Sequence, residues 1–188
     1  MERSIKRKYR PASNRMPGWE YDRNGYYFLT FLTQNREQVL GTIEDGKMIL
    51  SDWGKIVEEE FLKSFEIRKE LRLDEYVIMP DHMHAIVILL NKDIETQEVN
   101  EQKSKLERKP KSISSFIAGF KSAVNSKIDD DIDKKGLDIP KYNRKNHFFQ
   151  LNYHDKIIRS HKELINVQRY IRSNPKNWKN GKSEGLGR

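Results

Sequence analysis

The stretch Tyr76-Val-Ile-Met-Pro-Asp-His-Met-His-Ala-Ile-Val-Ile-Leu-Leu90 decides the fold of this chain. Two apolar segments rich in Val and Ile flank a polar centre, which predicts two strands joined by a Pro-Asp turn. If the second strand begins at His82, alternation of side chains puts His82 and His84 on one face, with Cβ atoms roughly 7 Å apart. Met83 then points into a core on the other face. Two imidazoles at this spacing can bind one metal ion, or they form a polar surface patch.

Length and composition fit one domain with a sizeable core. The chain has 188 residues, of which 36% are hydrophobic and 34% are charged. It contains no cysteine, which excludes disulfides, thiolate metal ligands and cysteine nucleophiles. The basic N-terminus lacks the apolar segment of a secretory signal, and no apolar run approaches the ~18 residues of a membrane span. We therefore expect a soluble, cytoplasmic protein with no membrane partner.

The charge of the chain favours a polyanionic partner. Lys and Arg number 36 against 28 Asp and Glu, a net charge of +8, which is typical of nucleic-acid-binding domains but also of basic proteins that bind none. Residues 1–24 combine cations with aromatic rings, so they form either a nucleic-acid-binding arm or a solvated tail. The arm residues predicted to contact nucleic acid are Arg3, Lys6, Arg7, Lys8, Tyr9 and Arg10.

The remaining elements follow from apolar periodicity and from turn and cap residues. Strands are predicted at 25–33, 73–79, 82–90 and, in two pieces, 148–153 and 156–158; a hairpin at 39–50 turns at Asp45-Gly46. Helices are predicted after Ser51, Ser112 and Ser160, each of which is a good N-cap. Polar loops are expected at 91–111 and 129–146, and a flexible tail at 179–188.

The last helix carries two polar residues that matter for function. Ser160 and Glu163 match the capping box, and Pro175 ends the helix. Tyr170 and Asn174 are four residues apart, so they lie on one flank of the helix about one turn from each other. Taken alone, a tyrosine such as Tyr170 is more often a half-buried packing residue than a nucleophile.

The order of elements predicts an α+β fold. Strand, helix, strand, strand, helix and strand is the ferredoxin-like split βαβ order, an antiparallel sheet with helices on one face. An extra C-terminal helix lying across the open face would bring Tyr170 and Asn174 to the His pair. We predict one catalytic domain at 25–178 that carries this site.

Three separated motifs resemble a known family over about residues 20–178. The His82-Met-His84 pair resembles the His-hydrophobic-His motif of HUH single-strand DNA endonucleases, and Tyr170 resembles their catalytic tyrosine. Pro-Asp-His-Met-His, then Asn-Tyr-x-Asp-x-Ile-Ile-Arg, then Tyr-Ile-x-x-Asn-Pro resembles the REP-associated tyrosine transposases more closely. Many of those relatives have His where this chain has Lys156, and often Gln where it has Asn174.

The resemblance implies a metal-dependent endonuclease and strand transferase acting on single-stranded or hairpin DNA. Tyr170 would be the nucleophile that forms a phosphotyrosine. A free tyrosine titrates near 10, so it is a weak nucleophile that needs help to attack. His82, His84 and Asn174 would bind Mg²⁺ or Mn²⁺, which neutralises charge on the scissile phosphate. Asp155 is implied as a residue that orients a ligand, or else as a surface ion-pair partner.

Three further cations are candidates for contacts with nucleic acid: Lys121, which lies off the apolar stripe of its helix, and Arg169 and Arg172 of the last helix. The resemblance implies that the protein is a monomer or a homodimer. Two alternatives remain open at this stage. One is a non-catalytic module that binds hairpin or single-stranded nucleic acid on a transposase fold, and the other is a metallohydrolase in which bound water attacks and Tyr170 is structural.

Overall fold

The computed structural model describes residues 21–91, 111–143, 145–179 and 182–183, with residues 179, 182 and 183 described by their backbone only. The strands are β1 (Gly25–Leu32), β2 (Gly41–Glu44), β3 (Lys47–Leu50), β4 (Leu71–Met79), β5 (His82–Leu89), β6 (His154–Ile158), β7 (Trp178–Lys179) and β8 (Lys182–Ser183). The helices are α1 (Asp52–Ile67), α2 (Ile113–Lys135) and α3 (His161–Ser173).

The central sheet has the predicted ferredoxin-like topology. Its four strands lie in the order β4-β5-β1-β6, and every neighbouring pair is antiparallel. The connection through α1 therefore skips one strand position, and β5 later fills that position. Because β5 and β1 are the two central strands, β5 carries the His pair to the middle of the sheet. The α+β prediction is confirmed.

One face of the sheet is covered by α1 and α2. Their apolar stripes, including Phe61 and Phe120, pack against Tyr27, Phe31 and Met83, which alternate with residues of the other face. Ser51 caps α1 by accepting a hydrogen bond from the backbone N–H of Gly54, and Ser112 caps α2 in the same way through Ser115. The predicted caps and core-facing helices are confirmed.

The opposite face is covered by α3. Val167 and Ile171 pack against Phe28 of β1 and Ile86 of β5, and these four residues are buried. Ser160 caps the helix by accepting from the backbone N–H of Glu163. The extra C-terminal helix therefore covers the sheet face opposite α1 and α2, as the sequence predicted.

Two predicted boundaries were wrong. The polar loop predicted at 129–146 begins later, because α2 runs to Lys135 and ends at Gly136 in the left-handed conformation. Ile132 continues the buried stripe of α2 through the acidic run. The last strand begins at His154, whereas Phe149 makes only an isolated bridge to Thr33. Phe148 and Phe149 are aromatic core residues rather than strand residues, which their composition could not distinguish.

Several predictions fall on residues that the structure does not describe. Residues 1–20 of the arm, 92–110 of the first polar loop and most of the tail lie outside the described ranges. Within the described ranges, every helix is too short or too polar to pass through a lipid bilayer.

Candidate metal and tyrosine site

The two histidines lie side by side at the start of β5. Strand alternation puts His82 and His84 on the α3 face, and their ring centroids are 4.7 Å apart. Both are buried, with 1% and 6% of their surface exposed. Met83 between them is fully buried in the core of the other face. A surface patch is therefore excluded as the explanation of this pair.

Each imidazole is held through its Nδ1 atom. His82 Nδ1 lies 2.5 Å from Asp81 Oδ1, and His84 Nδ1 lies 2.8 Å from the hydroxyl of Thr30 on the neighbouring strand. The carboxylate of Asp81 also forms an ion pair with Arg36 Nε at 2.8 Å. These contacts fix the ring orientations and leave Nε2 of both histidines for another partner, the arrangement usual for metal-binding histidines.

Electrostatics keep one of the rings neutral. Burial lowers the pKa of His84 well below its ordinary value, and the charges of His82 and Arg36 lower it further. His84 is therefore a neutral imidazole at physiological pH. A neutral ring offers a lone pair to a metal ion or to a hydrogen-bond donor.

Tyr170 reaches the pair from α3. Its hydroxyl lies 3.2 Å from His84 Nε2, and its ring centroid is 5.3 Å from that of His84. Phe28 supports both rings, packing on His84 and meeting Tyr170 edge-on. The apolar face of α3 therefore sets the position of Tyr170, because Val167 and Ile171 anchor the helix in the same cluster.

Two polar contacts fasten α3 to the edge strand β4. Gln168 donates to Asp74 Oδ2 at 2.7 Å, and Arg172 Nε donates to Glu75 Oε1 at 2.8 Å. The strand has an irregularity at this point, since its register against β5 shifts between Leu73 and Glu75. The bulge turns two consecutive acidic residues toward one helix, which strand alternation would forbid.

Asn174 lies one turn beyond Tyr170, at the C-terminal cap of α3. It is 2% exposed, and neither its Oδ1 nor its Nδ2 atom has a hydrogen-bond partner among the described residues. A short 3-10 turn, Pro175–Asn177, follows and leads to Trp178, whose ring centroid lies 6.0 Å from that of His82. The end of α3 therefore lies over the His82 side of the pair.

The donor set of this cluster fits a divalent cation. His82 Nε2 is buried and makes no hydrogen bond to any described residue, as is true of the Asn174 amide. Buried polar atoms left without partners cost free energy, and a bound ion is one explanation for such atoms. Nowhere in the described ranges do three or more His, Asp or Glu side chains form a metal-binding group, so a cation at the His pair would need a further ligand of another kind, such as the Asn174 amide. An amide oxygen suits Mg²⁺ or Mn²⁺, and imidazoles also accept Zn²⁺ or Ni²⁺.

Asp155 lies on the other face of the sheet. It pairs with Leu29 of β1, whose side chain belongs to the core under α1 and α2, and its Oδ2 accepts a hydrogen bond from Tyr21 at 2.5 Å. The neighbouring residues His154 and Lys156 are the ones that share the face of His82. The structure therefore does not bring Asp155 to the His pair.

Only some of the residues predicted to contact DNA lie in the described part of the structure. The arm residues Arg3, Lys6, Arg7, Lys8, Tyr9 and Arg10 lie outside the described ranges. The ammonium of Lys121 donates to the backbone oxygen of Gln150 at 2.6 Å, and burial lowers its pKa to about 8. A groove of about 380 Å³ along the outer side of α3 is lined by Ile165, Gln168, Arg169, Arg172, Ser173 and Lys176.

Four site residues were missed by the sequence predictions: Thr30, Arg36, Asp81 and Trp178. Asp81 had a signal, because it is the neighbour of His82 and a carboxylate often orients such a ring. Thr30 had none beyond its place on a central strand. Arg36 and Trp178 reach the site only through tertiary structure.

Comparisons with known proteins agree with this fold. No family model matches the chain. An uncharacterized protein of Haemophilus influenzae is 29% identical over 174 residues, which cover 88% of each chain. The solved structure of the REP-associated tyrosine transposase bound to a REP hairpin matches with a TM-score of 0.53 and 20% identity, covering 84% of this chain and 70% of that one. The chain therefore has a transposase fold.

Proposed function

We propose that the protein is a metal-dependent single-stranded DNA endonuclease and strand transferase that acts through a phosphotyrosine on Tyr170. The observation that carries this proposal is the contact of the Tyr170 hydroxyl with His84 Nε2 at 3.2 Å. Beside this contact, His82 and Asn174 present buried polar atoms without partners. A tyrosine hydroxyl in contact with one of two buried imidazoles, with a buried amide at the end of the same helix, supplies the parts that phosphoryl transfer to tyrosine needs.

The roles of the residues follow from their positions. His82 Nε2, His84 Nε2 and the Asn174 amide oxygen would hold Mg²⁺ or Mn²⁺, which when bound neutralises charge on a phosphate. Asp81 and Thr30 keep the two rings oriented for this. The lone pair of His84 Nε2 that now meets the hydroxyl of Tyr170 is the one that a bound cation would use, so in the metal-bound site the hydroxyl of Tyr170 would be free for the DNA.

The proposed reaction of Tyr170 with DNA replaces one phosphorus–oxygen bond by another. Its hydroxyl oxygen forms a bond to phosphorus while the bond from phosphorus to the 3′ oxygen breaks. The phenol loses one proton, and the departing 3′ oxygen gains one as a free 3′-hydroxyl. Attack of another 3′-hydroxyl on the phosphotyrosine reverses the step and joins a different strand. One tyrosine therefore both cuts and joins without a nucleotide cofactor.

The proposed substrate is hairpin DNA with a single-stranded flank. The solved structure with this fold carries a REP hairpin, and the net charge of +8 suits a polyanion. The site does not support the alternative of a non-catalytic binding module. A pure DNA-binding surface has no use for a buried histidine pair whose Nε2 atoms lie away from solvent.

The test is a covalent adduct assay. Purified protein is incubated with end-labelled hairpin DNA from its own genomic flanks, with Mn²⁺, with Mg²⁺ or with EDTA, and separated on denaturing gels. We expect a metal-dependent protein–DNA adduct that Tyr170→Phe and His82→Ala abolish. Tyr26→Phe is the matched control, because Tyr26 is an exposed tyrosine on the same sheet face. Cleavage that survives Tyr170→Phe without an adduct would contradict the proposal and favour attack by water.

A further inference from the structure

Arg36 occupies a constrained turn beside the His pair. It ends the 3-10 turn Gln34–Arg36 after β1, and both Asn35 and Arg36 have positive φ, 54° and 60°. Non-glycine residues seldom adopt this left-handed conformation. The turn is tied to the Asp81 loop, because the backbone N–H and the hydroxyl of Thr33 both donate to the Asp81 carbonyl. The backbone of this turn therefore fixes the position of Arg36 next to Asp81.

The side chain of Arg36 is linked through Asp81 to the candidate metal ligand His82. Its Nε lies 2.8 Å from Asp81 Oδ2, and the other oxygen of Asp81 contacts His82 Nδ1. One carboxylate therefore joins the guanidinium to a candidate metal ligand.

Arg36 remains open to solvent in a cluster that is otherwise buried. Its side chain is 41% exposed, whereas that of Asp81 is 3% exposed. A guanidinium has five N–H donors, and within the described residues its terminal nitrogens make no hydrogen bond. Two other cations of this face are already paired, Arg172 of α3 with Glu75 and Lys156 of β6 with Glu163.

We propose that Arg36 binds a backbone phosphate of single-stranded DNA at this site. The proposal rests on the function proposed above. Its Nε would hold Asp81 while the terminal nitrogens donate to phosphate oxygens, the planar geometry that arginine provides and lysine does not. Because Asp81 joins Arg36 to His82, DNA binding at Arg36 also steadies a metal ligand. Arg36 is a DNA-contacting and positioning residue of the site.

The test measures DNA binding without chemistry. In a Tyr170→Phe background with EDTA, the dissociation constant of a mixed-sequence single-stranded 20-mer is measured over a range of salt concentrations. Arg36→Gln is compared with Arg36→Lys and with Arg72→Gln. Arg72 is an exposed arginine on β4 that pairs with Ile88, roughly 20 Å along the sheet from His82. The two glutamine variants therefore remove the same charge at different distances from the site.

We expect Arg36→Gln to weaken binding about 10-fold, as loss of one charge-assisted hydrogen bond would. The slope of log affinity against log salt should fall by about 0.7, the value for one phosphate contact to a single strand. Arg36→Lys should keep the slope, and Arg72→Gln should change neither quantity. Thermal unfolding of each variant separates these effects from loss of the fold.

The possible outcomes distinguish a failure of the Arg36 proposal from a failure of the proposed nuclease function. If Arg36→Gln behaves like Arg72→Gln while the wild type forms a metal-dependent adduct, the Arg36 contact is wrong and the function stands. If the slope falls at Arg36 but no adduct forms, the contact stands and the nuclease is wrong. If the wild type binds no DNA, both are wrong.

Discussion

The two faces of the central sheet bury different chemistry. Under α1 and α2 the buried cluster is built of aliphatic and aromatic side chains, in which the ring of Phe120 contacts those of Phe31, Phe61 and Phe116. Under α3 a small apolar cluster contacts the buried His pair through Phe28 and Tyr170, and Asn174 is buried at the end of the helix. The first face makes the fold stable. The second face gives up stability, because His82 Nε2 and both amide atoms of Asn174 are buried without hydrogen-bond partners in the described structure.

The largest expected effect lies on the first face. Phe61→Ala removes a fully buried ring that contacts four other aromatic rings, so the free energy of unfolding should fall by about 3–5 kcal/mol. Denaturant unfolding measures the change. Leu62→Ala, on the exposed side of the same helix, is the control and should cost far less. Equal losses would mean that the core is not where the structure puts it.

Asp81→Asn should weaken metal binding on the second face. Loss of the carboxylate that holds His82 Nδ1 should reduce affinity for Mn²⁺ about 10–100-fold, because a ring that turns freely is a poorer ligand. Isothermal titration calorimetry with Mn²⁺ measures this. Asp74→Asn removes the same charge from a residue that contacts Gln168 instead, and it should leave the affinity unchanged. Equal Mn²⁺ affinity in the two variants would refute the role of Asp81.

Asn174→Leu should stabilise the protein while damaging the site. In EDTA, replacing an amide that has no described hydrogen-bond partner by an apolar side chain of similar size should raise the free energy of unfolding by about 1–3 kcal/mol. The same variant should lose the added stability that Mn²⁺ gives the wild type. Asn177→Leu, at an exposed position of the following turn, is the control for thermal unfolding. Destabilisation by Asn174→Leu would show that the amide has a structural partner.

Tyr170→Phe should bind the cation more tightly than the wild type does. The hydroxyl of Tyr170 and a metal ion use the same atom, His84 Nε2, so removing the hydroxyl removes a competitor. The expected gain is about 2–10-fold in Mn²⁺ affinity, the size of one net hydrogen bond. Calorimetry with Tyr26→Phe as the control measures it. Weaker binding by Tyr170→Phe would mean that the phenol oxygen is itself a ligand.

The sequence was sufficient for features that depend on local periodicity. Alternation around His82 placed both histidines on one face, and the cap at Ser160 with the stripe of Val167 and Ile171 placed α3. Four-residue spacing then put Tyr170 and Asn174 on one flank of α3, from which Tyr170 reaches His84. The order of elements restricted the sheet to a topology in which these faces meet.

Features that depend on register or on distant partners were beyond the sequence. Asp155 pairs with Leu29, and a register shifted by one residue would have put it on the other face. The acidic run after Ile128 suggested a loop because composition hid the buried Ile132. Arg36 reaches Asp81 only because a left-handed turn folds back on another loop. No local pattern encodes such a contact.

The most direct test of the central claim is to identify the residue that carries DNA after reaction. The wild type is incubated with Mn²⁺ and hairpin DNA, digested with nuclease and protease, and analysed by mass spectrometry. A nucleotide mass on the peptide that contains Tyr170, absent when EDTA replaces Mn²⁺, is the predicted result. DNA cleavage with no modified peptide, or a nucleotide attached to a residue other than Tyr170, would contradict the account.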